Sequence, residues 1–138
     1  MTNKYTKLKS THEKMINKFP QFFAFDDEQF KEGLLKLKTT KEEILSTGYG
    51  GYIRKSDRMN YGKMWVQINK ESSEALKDDK YLFQAFRYEL SNHEYCITYD
   101  YEDTLNCLGL KYADLTEQQR NILENATKDY QKAMIEVE

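Results

Sequence analysis

The segment YELSNHEYCITYDYEDTL, residues 88–105, concentrates side chains that could bind a metal or transfer protons. Its imidazole, carboxylate and thiol groups belong to His93, Glu94, Cys96 and Asp100. Such groups ligate transition metals, or act as base and nucleophile in catalysis. A zinc protease would need the pattern HExxH on a helix, but Ile97 stands where the second histidine should follow His93. The spacing therefore excludes this zinc motif.

A calcium loop and a cysteine nucleophile fit the segment no better. An EF-hand loop that starts at Asp100 requires glycine where Leu105 stands. Cys96 would need a base, and the sequence does not fix His93 in a position to serve as one. The sequence therefore predicts no catalytic residue, no metal and no cofactor, and favours an interpretation in which Asn92 and His93 satisfy backbone groups at a helix end. Among the functions weighed below, a metal-dependent or hydrolytic enzyme at this segment is the second alternative.

The stretch GYGGYIRKSDR, residues 48–58, combines a glycine turn with three cations. A Walker A loop fails here, because Arg54 and Tyr49 stand where both of its glycines should be when Lys55 takes the lysine position. The dinucleotide fingerprint GxGxxG fails as well, since its last glycine is replaced by Ile53. Two interpretations stay open for the stretch, a structural turn or a contact surface.

The elements around these segments are mostly helical, because apolar residues recur with a period near 3.6. Phe22, Phe23 and Phe25 form a dense apolar group that we expect in the core. Helix starts are indicated by the capping spacing of Asp26 with Gln29, Thr40 with Glu43, Asp100 with Asp103 and Thr116 with Gln119, and by Asp79. The predicted helices are centred on the apolar sets Tyr5 to Phe19, Phe30 to Leu37, Ile44 and Leu45, Tyr61 to Leu76, Leu82 to Leu90, the residues before Gly109, and Ile122 to Met134.

Two short stretches are typical of β-strands. GYIRK (51–55) and YCITY (95–99) carry β-type residues over about five positions each, and their pairing would form a two-stranded ribbon. In that arrangement Gly50 and Gly51 let the chain reverse direction before the ribbon. The predicted fold class is therefore mainly α (α+β), one domain over residues 1–138 with about six to seven helices and a small two-stranded ribbon.

Composition narrows the class of partner and the compartment. The 138 residues carry a net charge of −2 with both signs interspersed, which argues against general electrostatic capture of DNA or of an anionic membrane. The two cysteines lie outside any CxxC pattern, and no apolar run approaches the roughly 18 residues of a membrane-spanning helix. With no hydrophobic signal region in MTNKYTKLKS, we expect a reducing cytoplasm.

Three blocks of sequence carry a resemblance to a known group of proteins. They are FFAFDDEQFKEGLLKL, STGYGGYIRKSD and YLFQAFRYELSNHEYCITYDYEDTLNCLGL, and their order resembles a family of small proteins encoded by phages, prophages and other mobile elements of bacteria. The resemblance spans roughly residues 19–112, and the family has no established activity. It implies a small accessory protein that binds a host or viral macromolecule, including as an inhibitor of a host defence system.

The function expected from the sequence is non-enzymatic binding of a protein partner, because tyrosine and arginine are enriched at interfaces. The first alternative is nucleic-acid binding, in which Tyr49 and Tyr52 stack on bases while Arg54, Lys55 and Arg58 neutralise phosphates. No membrane partner is expected. The predicted interaction surface comprises Tyr49, Tyr52, Arg54, Lys55, Arg58, Asn92, His93, Glu94, Tyr95, Tyr99 and Tyr101.

Overall fold

The computed structural model describes residues 3–93, 95 and 100–137, and these residues form a mainly helical fold with one small sheet. The α-helices are α1 (Lys4–Lys18), α2 (Asp27–Lys36), α3 (Arg58–Ala75), α4 (Asp79–Asn92), α5 (Glu102–Cys107) and α6 (Glu117–Val137). The strands are β1 (Phe22–Phe23), β2 (Ile44–Gly48) and β3 (Gly51–Arg54). Single 3-10 turns lie at Lys41–Glu43, Lys55–Asp57 and Tyr112–Asp114. The predicted fold class, mainly α with a small β component, is confirmed.

The chain divides into two compact units. Ser10–Lys70 form one, here called the sheet unit, and Met1–Lys9 together with Glu71–Glu138 form the other, the helical unit. The expectation that residues 1–138 act as a single domain stays a prediction. None of the helices in the described part of the chain combines the length and the apolar content needed to cross a membrane.

The sheet has three antiparallel strands in the order β1-β3-β2, so β3 has a partner on each side. Tyr52 lies opposite Phe22 in β1 and opposite Ser46 in β2. A bulge interrupts the β2–β3 register between Ser46 and Gly48. The small sheet is therefore three-stranded rather than two-stranded, and the predicted pairing of 51–55 with 95–99 falls largely on residues outside the described ranges.

The core of the sheet unit lies between the sheet and α2. Phe22, Ala24 and Leu37 are buried there, with Phe30 and Tyr52 packed against them. Gly33 is buried where α2 meets β1, and a Cβ at this position would collide with the ring of Phe22. A glycine inside a helix costs about 1 kcal/mol relative to alanine, so the close approach of the Phe22 ring explains its presence.

The core of the helical unit is built by α4 and α6. Leu82, Phe86 and Leu90 of α4 are almost fully buried, as the sequence predicts, and pack with Leu123 and Ala126 of α6. Leu105 of α5, Leu115, Tyr95 and Tyr130 complete this cluster. The apolar stripe at i, i+4 and i+8 on α4 is therefore the main packing face of the unit.

Two predicted capping boxes close as expected. The Asp26 side chain accepts from the backbone N–H of Gln29 at 2.7 Å, while the Gln29 side chain accepts from the N–H of Phe25. Before α6, the Thr116 hydroxyl accepts from the N–H of Gln119, and the Gln119 side chain accepts from the N–H of Thr116 itself. Helix α4 begins one residue earlier than expected, because Asp78 rather than Asp79 caps it.

The prediction of a short helix carrying Ile44 and Leu45 is wrong. The residues after Thr40 make one 3-10 turn and then enter β2, where Leu45 lies opposite Ile53 of β3. A helix of so few residues is marginal by itself, whereas pairing with β3 satisfies the backbone and packs a β-branched residue on the sheet.

The expected core position of the Phe22, Phe23 and Phe25 group is right only for Phe22. Along an extended segment, successive side chains point to opposite faces, so Phe22 enters the core while Phe23 and Phe25 are exposed. The assignment of the chain reversal also shifts by one residue, because Gly51 is already the first residue of β3.

Candidate functional site

The turn between β2 and β3 adopts a backbone conformation that its sequence does not favour. Gly48 and Gly51 face each other across the hairpin, and the two residues between them both have positive φ, 53° for Tyr49 and 80° for Gly50. These angles are those of a type I′ turn, whose first position ordinarily holds asparagine, aspartate or glycine. Tyrosine at this position carries the steric cost of the left-handed conformation.

Three aromatic side chains surround this turn and face solvent. Tyr49 is 98% exposed, Phe25 77% and Phe23 57%. The ring of Phe25 lies over Gly50, where a Cβ would be only 2.5 Å from its Cε1, and the ring of Phe23 lies beside Gly51. The carbonyl of Gly50 accepts a hydrogen bond from the N–H of Ala24 at 2.8 Å, which ties the two segments together. Phe23, Phe25 and Tyr49 are called the turn patch below.

The other predicted contact residues of the sheet unit differ in how far they are exposed to a possible partner. Tyr52 is stacked on Phe22 with ring centroids 5.3 Å apart and also meets the edge of Phe30, so its ring belongs to the core. Arg54 donates to the Asp57 carboxylate at 2.7 Å. Lys55 and Arg58 are exposed around the start of α3.

The predicted contact residues of the helical unit lie at the end of α4 and in the segment beyond it. Asn92 is the last residue of α4 and His93 is its C-cap. Tyr95 is buried and stacks on Tyr101 with ring centroids 4.8 Å apart, while the hydroxyl of Tyr101 lies 3.0 Å from that of Thr127. Glu94 and Tyr99 lie outside the described residues.

A second group of residues that could bind a metal or react chemically lies where α4 meets the end of α5. Glu89, His93 and Cys107 place one donor atom each within 4.8 Å of one another. The His93 Nε2 atom is 3.2 Å from Glu89 Oε2 and 3.0 Å from Cys107 Sγ. Glu89 is only 1% exposed, which is unusual for a carboxylate without a strong partner. We refer to these three residues as the Glu–His–Cys cluster.

The other oxygen of Glu89 is held by groups from α1. The Tyr5 hydroxyl donates to Glu89 Oε1 at 2.7 Å, and the Lys9 ammonium lies 3.8 Å from the same atom. Burial and this hydrogen bond raise the pKa of Tyr5 well above its ordinary value, so Tyr5 stays a neutral donor. Desolvation and the neighbouring Glu89 charge raise the pKa of the Cys107 thiol above its ordinary value.

A shallow groove also lies on the helical unit, beside the expected contact residue Tyr101. Its volume is about 520 Å³, and it is bordered by Leu105, Leu110 and Tyr112 as well as by Asp100. The residues that line it do not include any member of the Glu–His–Cys cluster. The groove and the cluster are therefore separate features of this unit.

The contacts of these sites differ in how far they can be predicted from the sequence. Glu89 and His93 are four residues apart on a helix, so their contact could have been inferred from helical spacing. Cys107 joins them only through tertiary packing, for which the sequence carries no signal. The exposure of Phe23 and Phe25 depends on their places beside a two-residue strand, which periodicity does not identify.

Comparison with known proteins assigns the chain to a family but gives no information on its activity. The model of DUF7659, a family of unknown function, matches residues 4–133. The chain belongs to this family. The matched range contains both the turn patch and the Glu–His–Cys cluster, so both lie within the part of the chain that defines DUF7659 membership. No curated protein and no solved structure shows significant similarity to the chain.

Proposed function

We propose that this protein acts by binding another protein, without catalysing a reaction, and that the turn patch is the centre of the contact surface. Large aromatic side chains provide most of the binding energy at protein interfaces, because they combine a large apolar area with few rotatable bonds. Phe23, Phe25 and Tyr49 are exposed together around one hairpin turn. A bound partner would bury this exposed aromatic surface.

The observation that carries this proposal is the conformation of Tyr49. Its φ of 53° is unfavourable for a tyrosine, and its side chain, 98% exposed, gains almost no burial within the chain in return. Residues in sparsely populated backbone conformations cluster at functional sites, where the side chain takes part in binding or catalysis. A partner that covers the Tyr49 ring would supply that interaction.

The same residues support a protein partner over a nucleic acid. Of the two tyrosines expected to stack on bases, Tyr52 has its ring packed against Phe22 and Phe30, which leaves Tyr49 alone for stacking. Phosphate neutralisation would require Arg54, but its guanidinium is already paired with Asp57. The two remaining cations, Lys55 and Arg58, would neutralise few phosphates on a chain with a net charge of −2.

The biological setting that we propose follows from the sequence resemblance alone. A small accessory protein of a phage or another mobile element would work in the cytoplasm of the bacterial host and bind a host or viral macromolecule. Inhibition of a host defence protein is one role of this kind. A hairpin with exposed aromatic residues is suited to such inhibition, since aromatic side chains offer a large contact area and lose little conformational entropy on binding.

Photo-crosslinking inside bacterial cells tests this proposal. A photoreactive phenylalanine analogue is placed at position 49, and the matched control carries it at position 66, where Val66 is exposed on α3. We expect position 49 to give a discrete protein adduct that position 66 does not give, and Phe25→Ser to abolish that adduct. Equal adducts at both positions, or adducts to nucleic acid only, would refute a protein contact at the turn patch.

A further inference from the structure

The Glu–His–Cys cluster brings an oxygen, a nitrogen and a sulfur atom close together. The contacts of His93 are relevant to whether a cation can lie among these atoms. A single ring nitrogen, Nε2, lies 3.2 Å from Glu89 Oε2 and 3.0 Å from Cys107 Sγ. An N–H on this nitrogen can point well at only one of these two atoms, and a neutral Nε2 without a hydrogen would instead accept from the Cys107 thiol. A cation placed among the three donor atoms would contact all of them at once.

A cysteine nucleophile with a histidine base would need a different arrangement. In that chemistry the histidine uses one nitrogen for the nucleophile and the other for the orienting carboxylate. Here Glu89 and Cys107 meet the same nitrogen of His93. The groove beside Tyr101 does not include Cys107 among its lining residues.

We propose that Glu89, His93 and Cys107 bind a zinc ion. Imidazole nitrogen, thiolate sulfur and carboxylate oxygen are the three donor types that Zn²⁺ takes in proteins. Three protein ligands leave one position of a tetrahedral site open. This site lies in the helical unit, whereas the turn patch belongs to the sheet unit.

Two of the three ligand separations are close to those that zinc requires, and the third, between Glu89 and Cys107, is within 4.8 Å. Bonds of about 2.0–2.1 Å to nitrogen and oxygen and about 2.3 Å to sulfur place tetrahedral ligands about 3.3–3.6 Å apart. The 3.2 Å separation of Glu89 Oε2 and His93 Nε2 is already near this range, and the 3.0 Å separation of Nε2 and Cys107 Sγ would widen by about half an ångström. Rotation of the Cys107 side chain, at the exposed end of α5, can supply that change.

The surroundings of Glu89 are those of an oriented metal ligand. The Tyr5 hydroxyl binds Oε1 at 2.7 Å, which leaves Oε2 directed at His93. The Asn92 amide, 3.5 Å from Oε2, makes at most a weak contact with it. Hydrogen bonds to a ligating side chain fix its direction, and their removal weakens metal affinity by about 10–100-fold. Tyr5 is thus the positioning residue of the site.

Cobalt(II) is the probe for this site, because it takes the same ligands as zinc and a cobalt–thiolate bond gives a charge-transfer absorption in the near ultraviolet. We expect the purified full chain to bind Co²⁺ with this absorption and to lose it when Zn²⁺ is added. Cys107→Ser and His93→Gln should abolish it. Cys96→Ser, which removes the chain's other cysteine outside the described residues, should leave it intact.

Affinity measurements separate metal ligation from an ordinary hydrogen-bonded cluster. Tyr5→Phe should fold as the wild type does, judged by circular dichroism, and bind Co²⁺ about 10–100-fold more weakly. Glu124→Gln alters an exposed carboxylate and serves as the control with unchanged affinity. Absence of a thiolate absorption in the folded wild type, or its loss with Cys96→Ser but not with Cys107→Ser, would overturn the assignment.

Discussion

Replacement of Tyr49 by asparagine should make the isolated protein more stable. A left-handed conformation costs most residues about 1–2 kcal/mol, and asparagine is among the few that adopt it readily. The tyrosine ring is 98% exposed, so its removal sacrifices almost no burial. We therefore expect Tyr49→Asn to raise the free energy of unfolding by about 0.5–1 kcal/mol, a part of the full steric cost.

Thermal and urea denaturation of the purified protein measure this change. For a chain of this length, the expected gain corresponds to a rise in Tm of about 2–4 °C. The same substitution should weaken the crosslinked complex that we propose at the turn patch. Stability and binding would then change in opposite directions, as expected when a residue is kept for function at a structural cost.

Lys38 offers a matched control for this experiment. It is exposed, follows the C-terminal end of α2 and also has a φ of 53°. Lys38→Asn should therefore stabilise the chain to a similar extent, but leave partner binding unchanged. If Lys38→Asn stabilises while Tyr49→Asn destabilises, the tyrosine side chain must support the fold, and the reasoning from backbone strain fails.

Three further predictions concern stability. Gly50→Ala should lower the free energy of unfolding by about 1–2 kcal/mol, because the φ of Gly50 is 80°. Lys55→Ala alters an exposed residue and should change the same free energy by less than about 0.5 kcal/mol. Equal effects of the two substitutions in urea denaturation would contradict this. Gly33→Ala should lower the free energy of unfolding by up to about 2 kcal/mol, since the clash with a buried ring, about 1–3 kcal/mol, outweighs the gain in helix propensity of about 1 kcal/mol; a more stable variant would contradict the close packing. The hydrogen bond from Lys4 holds the pKa of Asp78 below its ordinary value, so its contribution is present above the unfolded-state pKa and is lost as the pH falls through the folded-state value. The Tm of Asp78→Asn should therefore lie below that of the wild type at neutral pH and approach it only once the pH has fallen below the ordinary aspartate pKa of about 3.9, and a constant difference would exclude this cause.

The parts of the fold that the sequence predicts are those governed by local chemistry. The capping spacings at Asp26 and Thr116, and the apolar stripe of α4, involve residues three or four positions apart, so each can be inferred from a short window. Strand β2 shows the opposite case. Ile44 and Leu45 form a strand because β3 pairs with them, and a partner brought by tertiary structure overrides the local pattern.

The candidate sites are less accessible from sequence for the same reason. The sequence draws attention to Tyr49 and His93, but it does not indicate that Phe25 packs on the turn or that Cys107 approaches His93. These contacts join residues more than ten positions apart, which no periodicity fixes. Individual residue types therefore mark candidate regions, while the chemistry of each region depends on neighbours that only the fold supplies.

The order of strands in the sheet implies an order of events when the chain folds. Strands β2 and β3 are joined by two residues, so this hairpin can close on the microsecond timescale of local structure. Strand β1 pairs only two residues with β3, and Phe22 must find Tyr52 across about 30 residues of chain, which carries a larger entropic cost of loop closure. The edge of the sheet next to β1 should thus form last and open first. Amide hydrogens there should exchange with solvent through local opening, ahead of those shared by β2 and β3.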